Sequence, residues 1–232
     1  MILNSSENDG KIRFSISQFE EKYREIFNMC FYKEEEGVFY KDFPSEYPHI
    51  NKIRGNFEKH GKTMFAQLGY FSDVPWSNAL LSFCRMIEGH EIDWWLTGSC
   101  ASCLRGIELN PHDIDIMIDS RDVAELADIF SDFLIEPIVD TGGWLTKDFG
   151  VIFIGARVDI ASDPVESLDD PLPVDCGPTA RKNLETISWN GFSVRIPPIE
   201  FQLNANRLRG RVERVKLIEE YMESHALRSG IA

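Results

Sequence analysis

The sequence predicts a mixed α/β, or α+β, domain: a sheet flanked by helices, with a helical N-terminal extension and a C-terminal helix. Three observations carry this. From residue 92 onward, short apolar runs of strand length alternate with stretches whose apolar residues recur at helical spacing. Asn190-Gly191 stands between Ile187-Ser-Trp189 and Phe192-Ser-Val194, the signature of a tight two-residue hairpin. Hydrophobic residues make up 43% of the 232, which suffices for a full core without disulfide staples.

Taken in order, residues 1–12 read as a loose end. Ser17-x-x-Glu20 has the capping-box pattern. It precedes Phe19, Tyr23, Ile26, Phe27 and Cys30, an apolar stripe at helical spacing. Residues 33–72 read as a charged turn at Glu34–Glu36 followed by irregular chain around Pro44 and Pro48. This first part, 1–75, is expected to be a partly helical accessory region preceding a domain over 76–232. Asp73 and Pro75 can open a helix with Trp76, Leu80, Leu81, Cys84 and Ile87 on one face. A short strand over 92–97 breaks at Gly98-Ser99, and 100–105 reads as a short helix. Ile114 to Ile118 alternates as a strand, and Ser120 can cap a helix carrying Val123, Leu126, Ala127, Phe130 and Phe133. Strands follow over Leu134–Val139 and Val151–Ile160, the latter with an irregularity at Gly155, and 161–179 reads as a long loop. Pro197-Pro198 ends the hairpin and starts one long C-terminal helix.

Charge and cysteine usage narrow the partners. The chain carries 24 Lys+Arg against 38 Asp+Glu, a formal charge of −14. Residues 101–179 hold 17 of the acids and 4 of the bases, so the surplus sits in one segment. Such a chain repels extended nucleic acid and favours metal ions or small cations. Five scattered cysteines suit reduced thiols, the polar N-terminus does not read as a leader, and no apolar run is long enough to span a membrane. A cytoplasmic protein is the expectation.

The chemistry concentrates between Leu96 and Ile116. Asp113 and Asp115, at i and i+2 of a strand, point to one face with roughly 7 Å between them. Two such carboxylates repel unless a cation sits between them, and Mg²⁺ takes carboxylates, water and phosphates. The plainer alternative is that both simply face water. The apolar Ile114, Ile116 and Ile118 on the other face make this a core strand. Gly98-Ser99, at a strand-to-helix junction, offers backbone N–H groups, a hydroxyl and room for close approach by phosphate, although Gly-Ser also merely caps helices. Asp159, flanked by Val158 and Ile160, is either a salt-bridge partner of Arg157 or a third ligand able to complete a two-metal triad.

Together these residues resemble the nucleotidyltransferases of the DNA polymerase β superfamily, over roughly residues 92–222. The likeness is closest to small bacterial aminoglycoside and lincosamide nucleotidyltransferases and to minimal nucleotidyltransferases of toxin–antitoxin pairs. The resemblance implies transfer of a nucleoside monophosphate from an NTP such as ATP to an acceptor hydroxyl, with release of pyrophosphate. It implies that Gly98 and Ser99 hold the donor's outer phosphates, that Asp113 and Asp115 bind Mg²⁺, and that Asp159 binds a second Mg²⁺ or acts as base. Relatives often have Arg-x-Lys-Asp where this chain has Arg211-Val-Glu213.

Arg207, Arg211 and Arg214 fall at i, i+4 and i+7, one stripe of the expected helix. They face either surface acids or the triphosphate, and Arg207 and Arg211 are the candidates for the latter. Cys100-Ala-Ser-Cys103 lacks a second pair and reads as small residues packed beside nucleotide. His112 reads as a turn residue, and Trp94, Trp95 and Trp144 as core or base-stacking walls. The expected acceptor is a small hydroxyl compound, the acidity favouring a cation such as an aminoglycoside and so a role in antibiotic resistance. The rival readings are a tRNA- or protein-modifying nucleotidyltransferase, an Asp-x-Asp glycosyltransferase, and a non-catalytic nucleotide- or partner-binding protein.

Overall fold

Residues 1–229 are described by a computed structural model of the chain. The fold is mixed α/β. Its first layer is an antiparallel sheet that the sequence largely concealed. Residues 1–12 are not a loose end. Strand β1 (Ile2–Asn8) pairs antiparallel with β2 (Lys11–Ser17) through a turn at Asp9 and Gly10, which take φ 49° and 72°. In β2 the alternation of Ile12, Phe14 and Ile16 buries one face completely. Polar β1 is an edge strand with no buried residue, so its pattern gave no signal, although Asp9-Gly10 is itself a hairpin dipeptide. The Ser17/Glu20 capping box does not form: Ser17 ends β2, and a 3-10 turn over Glu21–Tyr23 leads without a side-chain cap into α1 (Arg24–Met29). Strands β3 (Lys33–Glu35) and β4 (Val38–Pro44) complete the order β1-β2-β4-β3.

The expected irregular chain up to residue 72 is instead largely β3, β4 and a 19-residue helix, α2 (Ile50–Leu68). Pro44 and Pro48 precede this helix rather than break it. Its buried residues Ile53, Phe57, Gly61, Met64, Phe65 and Leu68 form a helical stripe, diluted by lysines, asparagines and histidine on the wet face. Asn56 donates to the carbonyls of Asp132 and Leu134, and Gln67 to that of Gly155, so α2 is stitched to the second layer.

That layer begins with α3 (Trp76–Ile87), β5 (Trp94–Thr97), α4 (Gly98–Leu104), β6 (Ile114–Ile118) and α5 (Val123–Ile129). The side chain capping the turn before α5 is Asp119, accepting from the Arg121 N–H at 3.0 Å, not Ser120. Strand β7 (Leu134–Asp140) follows. The single strand expected over Val151–Ile160 is two, β8 (Asp148–Phe153) and β9 (Arg157–Ser162), reversing at Gly155 with φ 93°. The reversal lets β9 run parallel to β6, and the sheet order is β5-β6-β9-β8-β7 with all other pairs antiparallel.

A loop containing a 3-10 turn and the short helix α6 (Pro178–Lys182) leads to the hairpin β10 (Glu185–Trp189) and β11 (Phe192–Ile196). Asn190 and Gly191 both take positive φ, as a type I′ turn requires. The expected single C-terminal helix is two, α7 (Ile199–Leu208) and α8 (Val212–Ser229), interrupted at Gly210 with φ 64°.

One hydrophobic core runs through both layers, from Ile12 and Phe14 to Val194 and Ile196. Phe57 of α2, fully buried, stacks on Phe14 with centroids 4.6 Å apart. All five tryptophans lie at or beyond Trp76, so their fluorescence reports mainly the second layer, although Trp144 touches Phe31 of the first. Phe57→Ala is expected to cost about 3–5 kcal/mol. Its denaturation midpoint should fall equally by tryptophan fluorescence and by far-ultraviolet circular dichroism; an unmoved fluorescence midpoint would show two independent cores.

Candidate active site

The register of β6 and β9 generates the site. Ile114 lies opposite Val158, Asp115 opposite Asp159 and Ile116 opposite Ile160. Apolar residues of both strands therefore enter the core, while the two carboxylates emerge side by side on the other face. Asp113 sits at the entrance to β6. One carboxylate oxygen from each of Asp113, Asp115 and Asp159 lies within 4.8 Å of the others.

Their electrostatics differ by neighbour. Asp159 Oδ1 accepts from Arg157 Nε at 2.5 Å, so the salt bridge and the cluster coexist. Burial nevertheless pushes Asp159 up to about 6, Arg157 opposing and Asp113 assisting. Asp113 is held below the usual carboxylate range: burial would raise it, but His112, 3.3 Å away, and the more distant Arg157 and Arg214 outweigh burial. Asp115 is raised well above that range, by burial first and then by Asp113, Asp159 and Asp175. Among the described residues its carboxylate accepts no hydrogen bond. Three crowded carboxylates, one without a partner, are a donor set suited to a hard divalent cation such as Mg²⁺.

Gly98 opens α4 directly over Asp115. It takes φ 67°, and a Cβ there would lie 2.0 Å from Asp115 Oδ2, so no other residue fits. Its N–H donates to buried Asp175 at 3.1 Å and its carbonyl accepts from Gln202 at 3.1 Å. Ser99 is buried in the first turn of α4. Cys100 and Cys103 donate to the carbonyls of Asp113 and Leu109, tying α4 to the loop that delivers Asp113. All five cysteines are free thiols. His112 stacks near Tyr70, Trp95 is core, Trp94 packs on Phe83, and Trp144 is a half-exposed wall of the site.

A cavity of about 150 Å³ opens over Gly98, Asp115 and Asp159, with Trp144 and Phe149 on one side and Asp175 and Arg209 on another. The break at Gly210 decides which arginines serve it. Arg207, in the last turn of α7, is paired with Glu219 of α8 at 2.6 Å and does not line the cavity. Arg209 does line it, and Asp175 and Asp115 both act on its charge. Arg211 feels Arg209 and Arg214 and is lowered by burial first and by these two cations next. Neither Arg211 nor Arg214 is in an ion pair among the described residues. The stripe expected along one helix is thus replaced by Arg209, Arg211 and Arg214 gathered around the α7–α8 break. Sequence reasoning missed Arg209 because it assumed an unbroken helix; Arg209-Gly210 at a helix end was the available signal. It also missed Asp175, whose setting in an irregular loop carries no periodicity.

The acids of the 101–179 segment mostly have structural partners. Asp119 is bonded by Arg181, Asp122 accepts from the Asp93 N–H, and Glu136 is bonded by Tyr32 and Lys41. Asp148 accepts from Ser162, and Asp169 from the N–H groups of Val174 and Thr179.

Residues 79–154 match the family model described as aminoglycoside-2''-adenylyltransferase. This stretch is thus similar to a nucleotidyltransferase family. It holds Gly98, Asp113 and Asp115, and ends before Asp159. No curated protein matches the chain. Among solved structures, similar ones include a protein from Thermotoga maritima described as a nucleotidyltransferase, 21% identical over 64% of this chain and 92% of that one, with TM-score 0.46. The antibiotic-resistance factor ANT(2'')-Ia is 15% identical over 66% of this chain and 91% of its own, with TM-score 0.43. The lincosamide antibiotic adenylyltransferase LnuA, lincomycin-bound, is 12% identical over 65% and 99%, with TM-score 0.43. These likenesses are too distant to assign any residue a role. Among the described residues no helix is long and apolar enough to cross a membrane.

Two predictions follow from the charge balance. In metal-free protein at pH 7.5, Asp115→Asn removes an unpartnered charge and should raise the melting temperature by a few degrees. Asp159→Ala strands buried Arg157 and should cost about 3 kcal/mol. Equal effects of the two, measured by calorimetry, would contradict this assignment. The pH dependence has a definite sign. A carboxyl raised in the folded state is stabilising when protonated, so Asp159 withdraws stability from the metal-free protein as pH climbs from its ordinary value of 3.8 to about 6. A cation needs the ionised form, so Mg²⁺ affinity by titration calorimetry should be at least about fourfold higher at pH 7.5 than at pH 5.5.

Proposed function

We propose that this chain transfers a nucleoside monophosphate from an NTP to the hydroxyl of a small acceptor and releases pyrophosphate, with divalent metal held by Asp113, Asp115 and Asp159. The observation that carries the reading is the juxtaposition of these carboxylates, one unpartnered, beneath a glycine that only its missing side chain allows to sit there. The nucleotidyltransferase match over 79–154 supports it. Residues 76–232 carry the chemistry in this reading, and residues 1–75 form the layer that backs it.

Mg²⁺ bound at the triad, as one or two ions, would supply Lewis acidity to the phosphates and make the attacking hydroxyl more acidic. Arg209, with Arg211 and Arg214 beyond it, neutralises the donor's β- and γ-phosphates as pyrophosphate leaves. Gly98 admits the donor close to β6, although its own N–H is committed to Asp175. Asp159 takes the acceptor's proton on the carboxylate oxygen that Arg157 leaves free. The acceptor oxygen then bonds to the α-phosphorus, and the bond from that phosphorus to the oxygen bridging to the β-phosphate breaks.

The size of the cavity favours a small acceptor. Its charge is not favoured by the surrounding acids, most of which are engaged in the fold. Incubation of the full chain with Mg²⁺ and the four α-labelled NTPs, against panels of small hydroxyl compounds, aminoglycosides, lincosamides and tRNA, tests the proposal. Label is expected in a small molecule, and Asp115→Asn should lower incorporation at least about a thousandfold. Label in tRNA alone, or undiminished transfer by the variant, would overturn it.

A further inference from the structure

Beside the catalytic cavity lies a second, larger groove of about 340 Å³ between the two layers. Phe31 and Phe43 from the first layer and Trp144 and Phe149 from the second form its walls, and Lys41 bonded to buried Glu136 lies at its base. Trp144 and Phe149 also wall the catalytic cavity, so the two spaces share one partition. Phe31 is 58% exposed and stands with its ring edge-on to Trp144 at 4.7 Å. It does so from a backbone with φ 61°, a conformation that bulky side chains avoid. The outer rim continues past Phe31 into a basin bearing Lys11 and Lys33, neither in an ion pair among the described residues, and Asp42, whose carboxylate is held by Arg13.

We infer that this groove is the acceptor subsite, and that the acceptor is a flat, aromatic or apolar hydroxyl compound carrying an anionic group at the end away from the reacting hydroxyl. Aromatic walls set edge to face take a flat apolar body against their ring faces. The base of the groove is already neutralised, because Lys41 and Glu136 satisfy each other. The free charge at the mouth is positive, which complements an anion and repels a polycation. Seated this way, the ligand directs its hydroxyl past Trp144 and Phe149 toward Asp159. The inference rests on the nucleotidyl-transfer reading for the reaction, and not for binding.

The test separates the two. Saturation-transfer NMR on the full chain reads binding of 4-hydroxyphenylacetate as an aromatic hydroxy acid, 4-methylphenol as its uncharged analogue, and kanamycin as a polycation. Transfer assays with Mg²⁺ and labelled NTP use the same three probes. The aromatic hydroxy acid is expected to bind wild type and Asp115→Asn alike, at least threefold tighter than the uncharged analogue. Phe31→Gly, which removes the ring and suits the left-handed backbone, should weaken it at least tenfold. Lys33→Glu should weaken the acid but not the analogue. Kanamycin bound or modified in preference to the aromatic probes would overturn the inference, as would binding indifferent to both substitutions. Binding as expected without transfer in any panel leaves the groove standing and removes the nucleotidyl-transfer reading.

Discussion

The pairing of buried Arg157 with Asp159 is the interaction on which the site depends. Strand β9 lies between β6 and β8 in the middle of its sheet, and its register brings Asp159 against Asp115. Without a cation, three carboxylates within 4.8 Å would push the strands apart or take up protons. Arg157 supplies one fixed positive charge from the same strand face. It is itself only 4% exposed, so it needs support from behind. That support reaches into the first layer: Arg157 donates to Cys30 of the first layer, while Glu136, whose charge Arg157 feels, is bonded by Tyr32 and Lys41. The first layer thus does more than cover apolar surface. Its residues 30–41 set the charge balance behind the carboxylates, and this accounts for a core continuous across both layers.

The parts of the fold that were legible in the sequence are those where one local rule had no competitor. Strand β6 is read correctly because Ile114, Ile116 and Ile118 recur at every second position beside Asp113 and Asp115, and the β10–β11 hairpin because Asn190-Gly191 serves one turn type. The illegible parts involve compensation from elsewhere. Strand β1 is polar because α2 covers it through Ser5, which donates to Glu58 and accepts from Arg54, rather than through apolar contact alone. Helix α2 was hidden by its wet face, and β8 and β9 were fused because Gly155 stands in an otherwise apolar run. In the site, the three aspartates stand out because acids in apolar strands are costly without a purpose. Arg209 and Asp175 do not, since their positions follow from a helix break and an irregular loop that no periodicity announces.

The acidity of the 101–179 segment is a case where composition misleads about surface. A run of 17 acids suggests a cation-seeking cleft, but carboxylates are also the most versatile acceptors for backbone N–H groups and arginines. Here they close loops and turns around the sheet: Asp169 holds the chain on both sides of Asp175, and Asp119 is bonded by Arg181. Asp175 in turn fixes Gly98 over Asp115. The charge surplus therefore acts at one remove. Acids outside the metal cluster shape the loop that positions the glycine, and the glycine leaves Asp115 uncovered. What the site attracts is then set by the few charges left uncompensated, the carboxylate cluster with its unpartnered Asp115 on one side and Arg211 and Arg214 on the other. That division suits a cation bound to a polyphosphate better than it suits a free organic cation.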